Sequence, residues 1–372
     1  MQQLAIDQGS LLVEELDRSG FEALATEWDA ALAKSGADKP FHRHAFLKLF
    51  LDNFEPRARL RVFVAREGRA VIAALPLIEE RATLCGLPVR QLRAAVNDHS
   101  CRFDLLCREG REDAVDALFS HLTAVGDFDV LLLPDAVEGG AAGRLLARAR
   151  KLGFPTGTYQ SLRTPFIPLA GGWEAQQRKL DAKFKSNLRR RRKKLEEKGT
   201  LTFERHTGGL ELETLLEEGF ALEQSGWKGE SGTAIGTDPV VRGFYAEWAR
   251  QAATDGELAL SFLRLDGKPV AFHFGLVRGG VYYVPKLAFD EEHKECSPGQ
   301  LMLELVLKDC CERGLAEFDF LGPCMPWKLD WTDQVRPHHY LYVFPRSRKG
   351  RALHQLKFTV VPVAKEIVKW KP

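Results

Sequence analysis

The residues best suited to chemistry sit in the second half of the chain. Asp319 lies in the run Phe318-Asp319-Phe320. A carboxylate inside so aromatic a strand is costly unless it is paired or lines a cavity, so it reads as a proton acceptor or as the partner of a lysine. Lys286, in Tyr283-Val-Pro-Lys286, or Lys328, in Pro326-Trp-Lys328, is the candidate partner. Glu223 precedes Trp227 by four residues, which is one helical face if the helix continues. A glutamate beside a tryptophan is a candidate base. Lys228-Gly229 then offers a charge to an anionic group. The segment Ser297-Pro298-Gly299-Gln300 has the form of a helix start, with serine at the cap and proline at the first helical position. Free backbone N–H groups and the helix dipole there suit a pyrophosphate, and Gly299 permits close approach. His273 alternates with apolar neighbours in Ala271-Phe-His-Phe274; a buried, hydrogen-bonded histidine and a proton-transfer group are both open readings.

In the first half, Asn97-Asp98-His99-Ser100 with Arg102 forms a polar loop. It reads as an Asx-type turn or as the lining of a cleft. No G-x-S-x-G elbow accompanies it, which excludes a hydrolase triad of that type. Cys296 and Cys324 have no histidine at a spacing that implies a partner.

The elements that must carry these residues repeat. Leu60–Glu79 and Leu258–Val277 are each two β-rich runs, joined at Glu67-Gly68 and at Asp266-Gly267. Each pair is followed by a strand (Leu87–Leu92; Val281–Phe289), an amphipathic helix (Arg111–Val125; Pro298–Arg313) and a short buried strand (Phe128–Leu133; Glu317–Leu321). Gly126 and Gly314 stand at the helix stops. A duplicated α/β unit explains this order. Further helices are expected over Gly20–Lys34, Arg43–Leu51, Gly140–Leu152, Glu211–Gln224 and Val240–Ala253, with a crossover strand over Thr158–Leu169. Trp173–Lys198 is expected to be one basic helix. It carries Lys183, Lys185 and the run Arg189 to Lys194 on an apolar stripe of Phe184, Leu188 and Leu195. This basic run reads as a solvated face, as a site for an anionic cofactor or acceptor, or as a nucleic-acid contact. The expected division is 1–157, 158–345 and a basic extension 346–372.

Bulk properties agree with two folded halves. Of the 372 residues, 45% are hydrophobic and 28% charged, and the net charge is only +2. The chain is therefore no polycation. Seven irregularly spaced cysteines without a CxxC pair argue for reduced thiols and against zinc. The first 20 residues lack a signal-peptide pattern and no run of about 20 apolar residues occurs, so a cytoplasmic protein is expected.

Lys183–Arg192, Glu223–Gly229, Ser297–Gln300, Phe318-Asp-Phe and Trp327-Lys328, in this order, resemble the CelD-like acetyltransferases of the GNAT superfamily, which are associated with cellulose biosynthesis and related to the Fem-type aminoacyl-tRNA-dependent transferases. The resemblance covers Trp173–Phe344 and, by layout alone, the first half. It implies a tandem duplicated GNAT-like α/β (α+β) fold of two mixed sheets flanked by helices, and transfer from acetyl-CoA or another acyl-CoA to an amine or hydroxyl, with a small or sugar- or polysaccharide-related acceptor. On that expectation Asp319, Glu223 and Lys286 are catalytic, and Ser297, Pro298, Gly299 and Gln300 cradle the donor's phosphates. Asp98, His99, Arg102, Trp227, Lys228 and Lys328 bind the acceptor. No metal and no integral membrane segment are expected. The glycine loop usual in such enzymes is reduced to Gly299. An aminoacyl-tRNA-dependent transferase and a non-catalytic binding module therefore remain the alternatives.

Overall fold

A computed structural model of the chain describes residues 11–225 and 235–362. They form two compact units, one of residues 11–51, 55–162 and 337–362, the other of residues 52–54, 163–225 and 235–336.

The first unit opens with β1 (Leu12–Leu16), α1 (Arg18–Glu22), α2 (Ala25–Leu32) and α3 (His44–Phe54). The expected single helix Gly20–Lys34 is thus two short ones. The hairpin strands β2 (Arg59–Glu67) and β3 (Ala70–Leu84) follow, then β4 (Leu87–Ala94), the two-residue β5 (Leu106–Cys107), α4 (Glu112–Val125), β6 (Val130–Val137) and α5 (Ala141–Lys151). Strands β1 to β4 pair antiparallel, β5 lies on β3, and β6 runs parallel to β4. Helix α4 ends on Gly126, whose φ of 63° is the left-handed cap that glycine supplies at no steric cost. Its apolar stripe, Val115, Leu118, Phe119 and Leu122, buries against Leu75, Leu92 and Leu131 of the sheet.

Strand β7 (Thr156–Pro168) leads from the first unit into the second. There follow α6 (Gly172–Lys179), α7 (Ala182–Glu196), β8 (Leu201–His206), α8 (Leu212–Ser225), α9 (Pro239–Thr254), β9 (Leu258–Leu265), β10 (Lys268–Arg278), β11 (Val281–Phe289), α10 (Pro298–Glu312), β12 (Glu317–Asp319) and α11 (Pro326–Leu329). The basic helix expected over Trp173–Lys198 is broken. Leu180 adopts extended backbone, and Asp181 begins a new helix by accepting from the N–H of Lys183 at 2.8 Å and of Phe184 at 3.0 Å. Strands β8 to β11 pair antiparallel in sequence order, β12 runs parallel to β11, and β7 is antiparallel to β12. The β9–β10 turn is Asp266-Gly267, both with positive φ, as a two-residue hairpin loop demands.

Side-chain alternation gives this sheet two covered faces. Ala271, Tyr282 and Val284 join Leu188 and Leu195 of α7 and Leu301, Val306 and Cys310 of α10 in one core. Phe272 and Phe274 face the other way, against Gly219 of α8 and against Tyr245 and Trp248 of α9.

Beyond the second unit come β13 (Val335–Val343) and α12 (Arg348–Gln355). Strand β13 returns to the first unit and pairs antiparallel with β6, from His338 opposite Val137 to Val343 opposite Leu131. Leu353 of α12 is buried with Leu84, Val89 and Phe344 of that unit. Each unit is therefore a mixed sheet with the same order: hairpin, third antiparallel strand, helix, parallel strand. The last strand of each comes from elsewhere in the chain, β13 for the first and β7 for the second. Among the described residues, no helix is long and apolar enough to cross a membrane.

Candidate functional site

The two units differ where their parallel pair ends. In the first, β4 and β6 pair only from Gln91–Val130 to Arg93–Leu132. The place beside β6 that β4 vacates is filled by the chain itself. Phe103 forms a parallel bridge with Ala136, and its N–H donates to the Asp135 carbonyl at 3.2 Å. In the second unit β11 and β12 pair only from Val281–Glu317 to Tyr283–Asp319, although β11 continues to Phe289. Among the described residues, no strand is paired with β11 on that edge beyond Tyr283. The sheet is open there.

Two devices hold it open. One is a bulge in β11. Phe274 faces Lys286 but Leu276 faces Tyr283, so Gly275 opposes both Val284 and Pro285. Before the bulge Tyr282 and Val284 point to the α7–α10 core; after it Leu287 and Phe289 do. The extra residue re-aims Lys286 to the other face, where its Nζ lies 3.9 Å from Glu223 Oε1 and 5.2 Å from the centre of the Tyr245 ring. Gly275 is required: a Cβ there would sit 2.0 Å from the Tyr282 hydroxyl and 2.6 Å from the Ala259 carbonyl oxygen.

The other device follows β12. Leu321 has a φ of 44°, a left-handed conformation that a buried leucine holds only under constraint. Its N–H donates to Asp319 Oδ1 at 2.9 Å, and its carbonyl accepts from Lys328 Nζ at 2.9 Å. Lys328 also donates to the Pro323 carbonyl at 3.0 Å. Asp319, fully buried, receives Arg336 Nη1 on Oδ2 at 2.9 Å. Arg336 also holds Glu317 through Nη2 at 3.1 Å and lies over the Phe166 ring at 4.1 Å. The chain after β12 is thereby turned away from β11.

The expected residues are thus distributed as follows. Glu223 and Lys286 come together as a pair at the opening; Glu223 Oε2 also accepts from the Ile235 N–H at 2.6 Å. Lys286 stands beside Glu223, and Asp319 binds Arg336 through its side chain at 2.9 Å. Ser297 to Gln300 open α10 as expected, with Pro298 at its first position. Ser297 does not cap it through its side chain: its backbone is left-handed (φ 49°), and its hydroxyl lies 3.5 Å from the Lys294 carbonyl. No acidic residue occupies the first turn either. Helices α7 and α9, in contrast, are capped by the carboxylates of Asp181 and Asp238. Pro298 has no N–H and the Gln300 N–H donates to the Ser297 carbonyl at 3.0 Å, so the α10 terminus offers its dipole and the Gly299 N–H to an external anion, which suits a phosphate-bearing donor. Gln300 Oε1 accepts from Trp331 Nε1 at 2.6 Å, which ties this terminus to the segment after α11.

Asp98, His99 and Arg102 belong to the first unit. Their loop is an Asx turn, with the His99 N–H on Asn97 Oδ1 at 2.8 Å. Asp98 is exposed, His99 half-buried, and Arg102 buried over the Phe41 ring. Trp227 and Lys228 lie outside the described residues. Arg336 and the bulge were not legible as site features. Pro285 inside a strand was the available signal for the bulge, since a ladder excludes proline except at edges and irregularities.

Residues 182–329 match the family model of the acetyltransferase (GNAT) domain. No curated protein matches the chain. Among solved structures it is similar to FemX, with a TM-score of 0.57 at 13% identity over 92% of this chain and 99% of that one. It is also similar to the C-terminal domain of a putative lysylphosphatidylglycerol synthetase from Agrobacterium fabrum, with a TM-score of 0.56 at 13% identity over 92% and 97% of the two chains. A conserved protein of unknown function from Bacteroides thetaiotaomicron follows, at 0.52 and 11% identity over 87% and 97%. At these identities the likeness is one of fold. The chain has a mixed α/β fold, and its second unit carries the GNAT-type acyltransferase domain.

Proposed function

We propose that the second unit transfers an acyl group from a thioester, with acetyl-CoA the first donor to consider, to an amine or hydroxyl of a small or sugar-related acceptor, as in the CelD-like acetyltransferases. The observation that carries this reading is the opening between β11 and β12, present in the second unit and plugged by Phe103 in the first. The thioester lies along the free edge of β11, and its pyrophosphate meets the uncapped start of α10 at Ser297 to Gln300. Glu223 takes the acceptor's proton, and Lys286 beside it balances the charge. Asp319 and Lys328 are positioning residues that fix the turn at Leu321.

Isothermal titration with acetyl-CoA, longer acyl-CoAs and free coenzyme A tests this. Micromolar binding is expected, weakened at least tenfold in Gly299→Leu, whose Cβ meets Phe289 at 3.3 Å. A second reading rests on Arg189 and Lys193 of α7, exposed cations without an acidic partner among the described residues. They suit a polyanion, as in an aminoacyl-tRNA-dependent transfer of the Fem type. No thioester binding, together with salt-sensitive tRNA binding that Arg189→Glu with Lys193→Glu abolishes, would replace the first reading by the second. Binding of neither leaves a non-catalytic module.

A further inference from the structure

A groove of about 870 Å³ in the second unit lies outside the residues assigned so far. One flank comes from α6 and α7, the other from Leu329 at the end of α11 and residues 330–334 after it. Phe184 and Trp331 meet across it edge to face, with ring centres 5.2 Å apart. Its ionisable lining is balanced: Lys179, Lys183 and Arg191 on the helical flank, Asp330 and Asp333 on the other, and Asp181 at the α7 cap. Lys183, Arg191 and Asp330 carry no ion pair among the described residues, so their charges are available to a ligand. Asp181 is engaged by the backbone of α7, and Asp333 accepts from the Gln334 side chain at 2.8 Å.

A polyanion entering this groove would meet three carboxylates, and a polycation three basic groups. A ligand with one charge of each sign satisfies both flanks, because each of its charges meets the opposite one while like charges stay apart. The aromatic pair suits an apolar or sugar-ring body between the two charges. Trp331 also binds Gln300 at 2.6 Å, so the groove adjoins the start of α10.

We infer that this groove binds a compact zwitterion, with its phosphate or carboxylate on Lys183 and Arg191 and its ammonium on Asp330. The test is titration of the full chain, without donor, with glucosamine 6-phosphate, glucose 6-phosphate, glucosamine and 6-aminohexanoate. At least one zwitterion is expected to bind tenfold or more tighter than the two sugars that carry charge of one sign only, and whether it is the phosphate or the carboxylate identifies the anion. Lys183→Ala should weaken glucose 6-phosphate and spare glucosamine, and Asp330→Asn should do the reverse. Equal binding of all four, binding of none, or tightest binding of glucose 6-phosphate overturns the inference.

Discussion

The Glu223–Lys286 pair is the contact most open to a direct energetic test. Both groups are largely buried, with side-chain exposures of 1% and 15%. Removing one partner leaves the other charge desolvated, so Glu223→Gln or Lys286→Met should each destabilise the chain by on the order of 2–4 kcal/mol. The double variant should recover part of that loss in denaturant unfolding, because no lone charge remains. Arg336→Ala should behave in the same way toward Asp319, and a melting curve of the double variant Arg336→Ala with Asp319→Asn is the check. A third residue reports on pH. His42 donates from Nδ1 to the Ala37 carbonyl at 2.7 Å, and burial holds its pKa down at about 4. The unfolded imidazole titrates near its ordinary 6.5, so between these values the unfolded state binds the extra proton. Stability from this group is full above pH 6.5 and is lost as pH falls toward 4. Melting temperatures measured from pH 7 to 4.5 should drop less for His42→Gln than for the unmodified chain.

At the level of elements, the hairpins, their third strands and the two amphipathic helices follow from the sequence because local chemistry decides them. Asp266-Gly267 fits only a tight turn, and the stripe Leu301, Met302, Val306 and Cys310 has only one way to bury. What was hidden depends on contacts distant in sequence. The break at Leu180 yields a second helix because Asp181 finds two backbone donors, and its removal in Asp181→Ala should cost about 1 kcal/mol in thermal unfolding. Strand β13 contains Pro337 and two histidines and reads as no strand, yet β6 supplies its partner. The bulge required the pairing register of β10 and β11 to be known. Gly275→Ala should destabilise the chain by several kcal/mol in chemical denaturation, because its Cβ meets backbone as well as the Tyr282 hydroxyl. The candidate site divides in the same way. The helix start at Ser297 and the carboxylate at Glu223 were visible as residue types, whereas the pairing of Glu223 with Lys286 was set by the bulge. Arg336 lies 17 residues from the aspartate it binds and carried no local signal.

At the scale of the whole chain, the borrowed last strands tie the two units together in sequence. Truncation after residue 336 removes the strand that covers β6 and the helix that buries Leu353, while leaving every described strand of the second unit. Limited proteolysis of that truncated chain should cut first within residues 55–162 and only later within 163–336. The same arrangement governs synthesis. When β6 leaves the ribosome one of its edges has β4, but its other edge, Leu131 to Val137, waits for a strand some 200 residues downstream. At ordinary elongation rates of about 5–20 residues per second the wait is on the order of 10–40 s. Throughout it an apolar strand edge lies open to any other nascent chain. A cell making this protein must shield that edge, and the demand should grow wherever translation of the second unit is slowed.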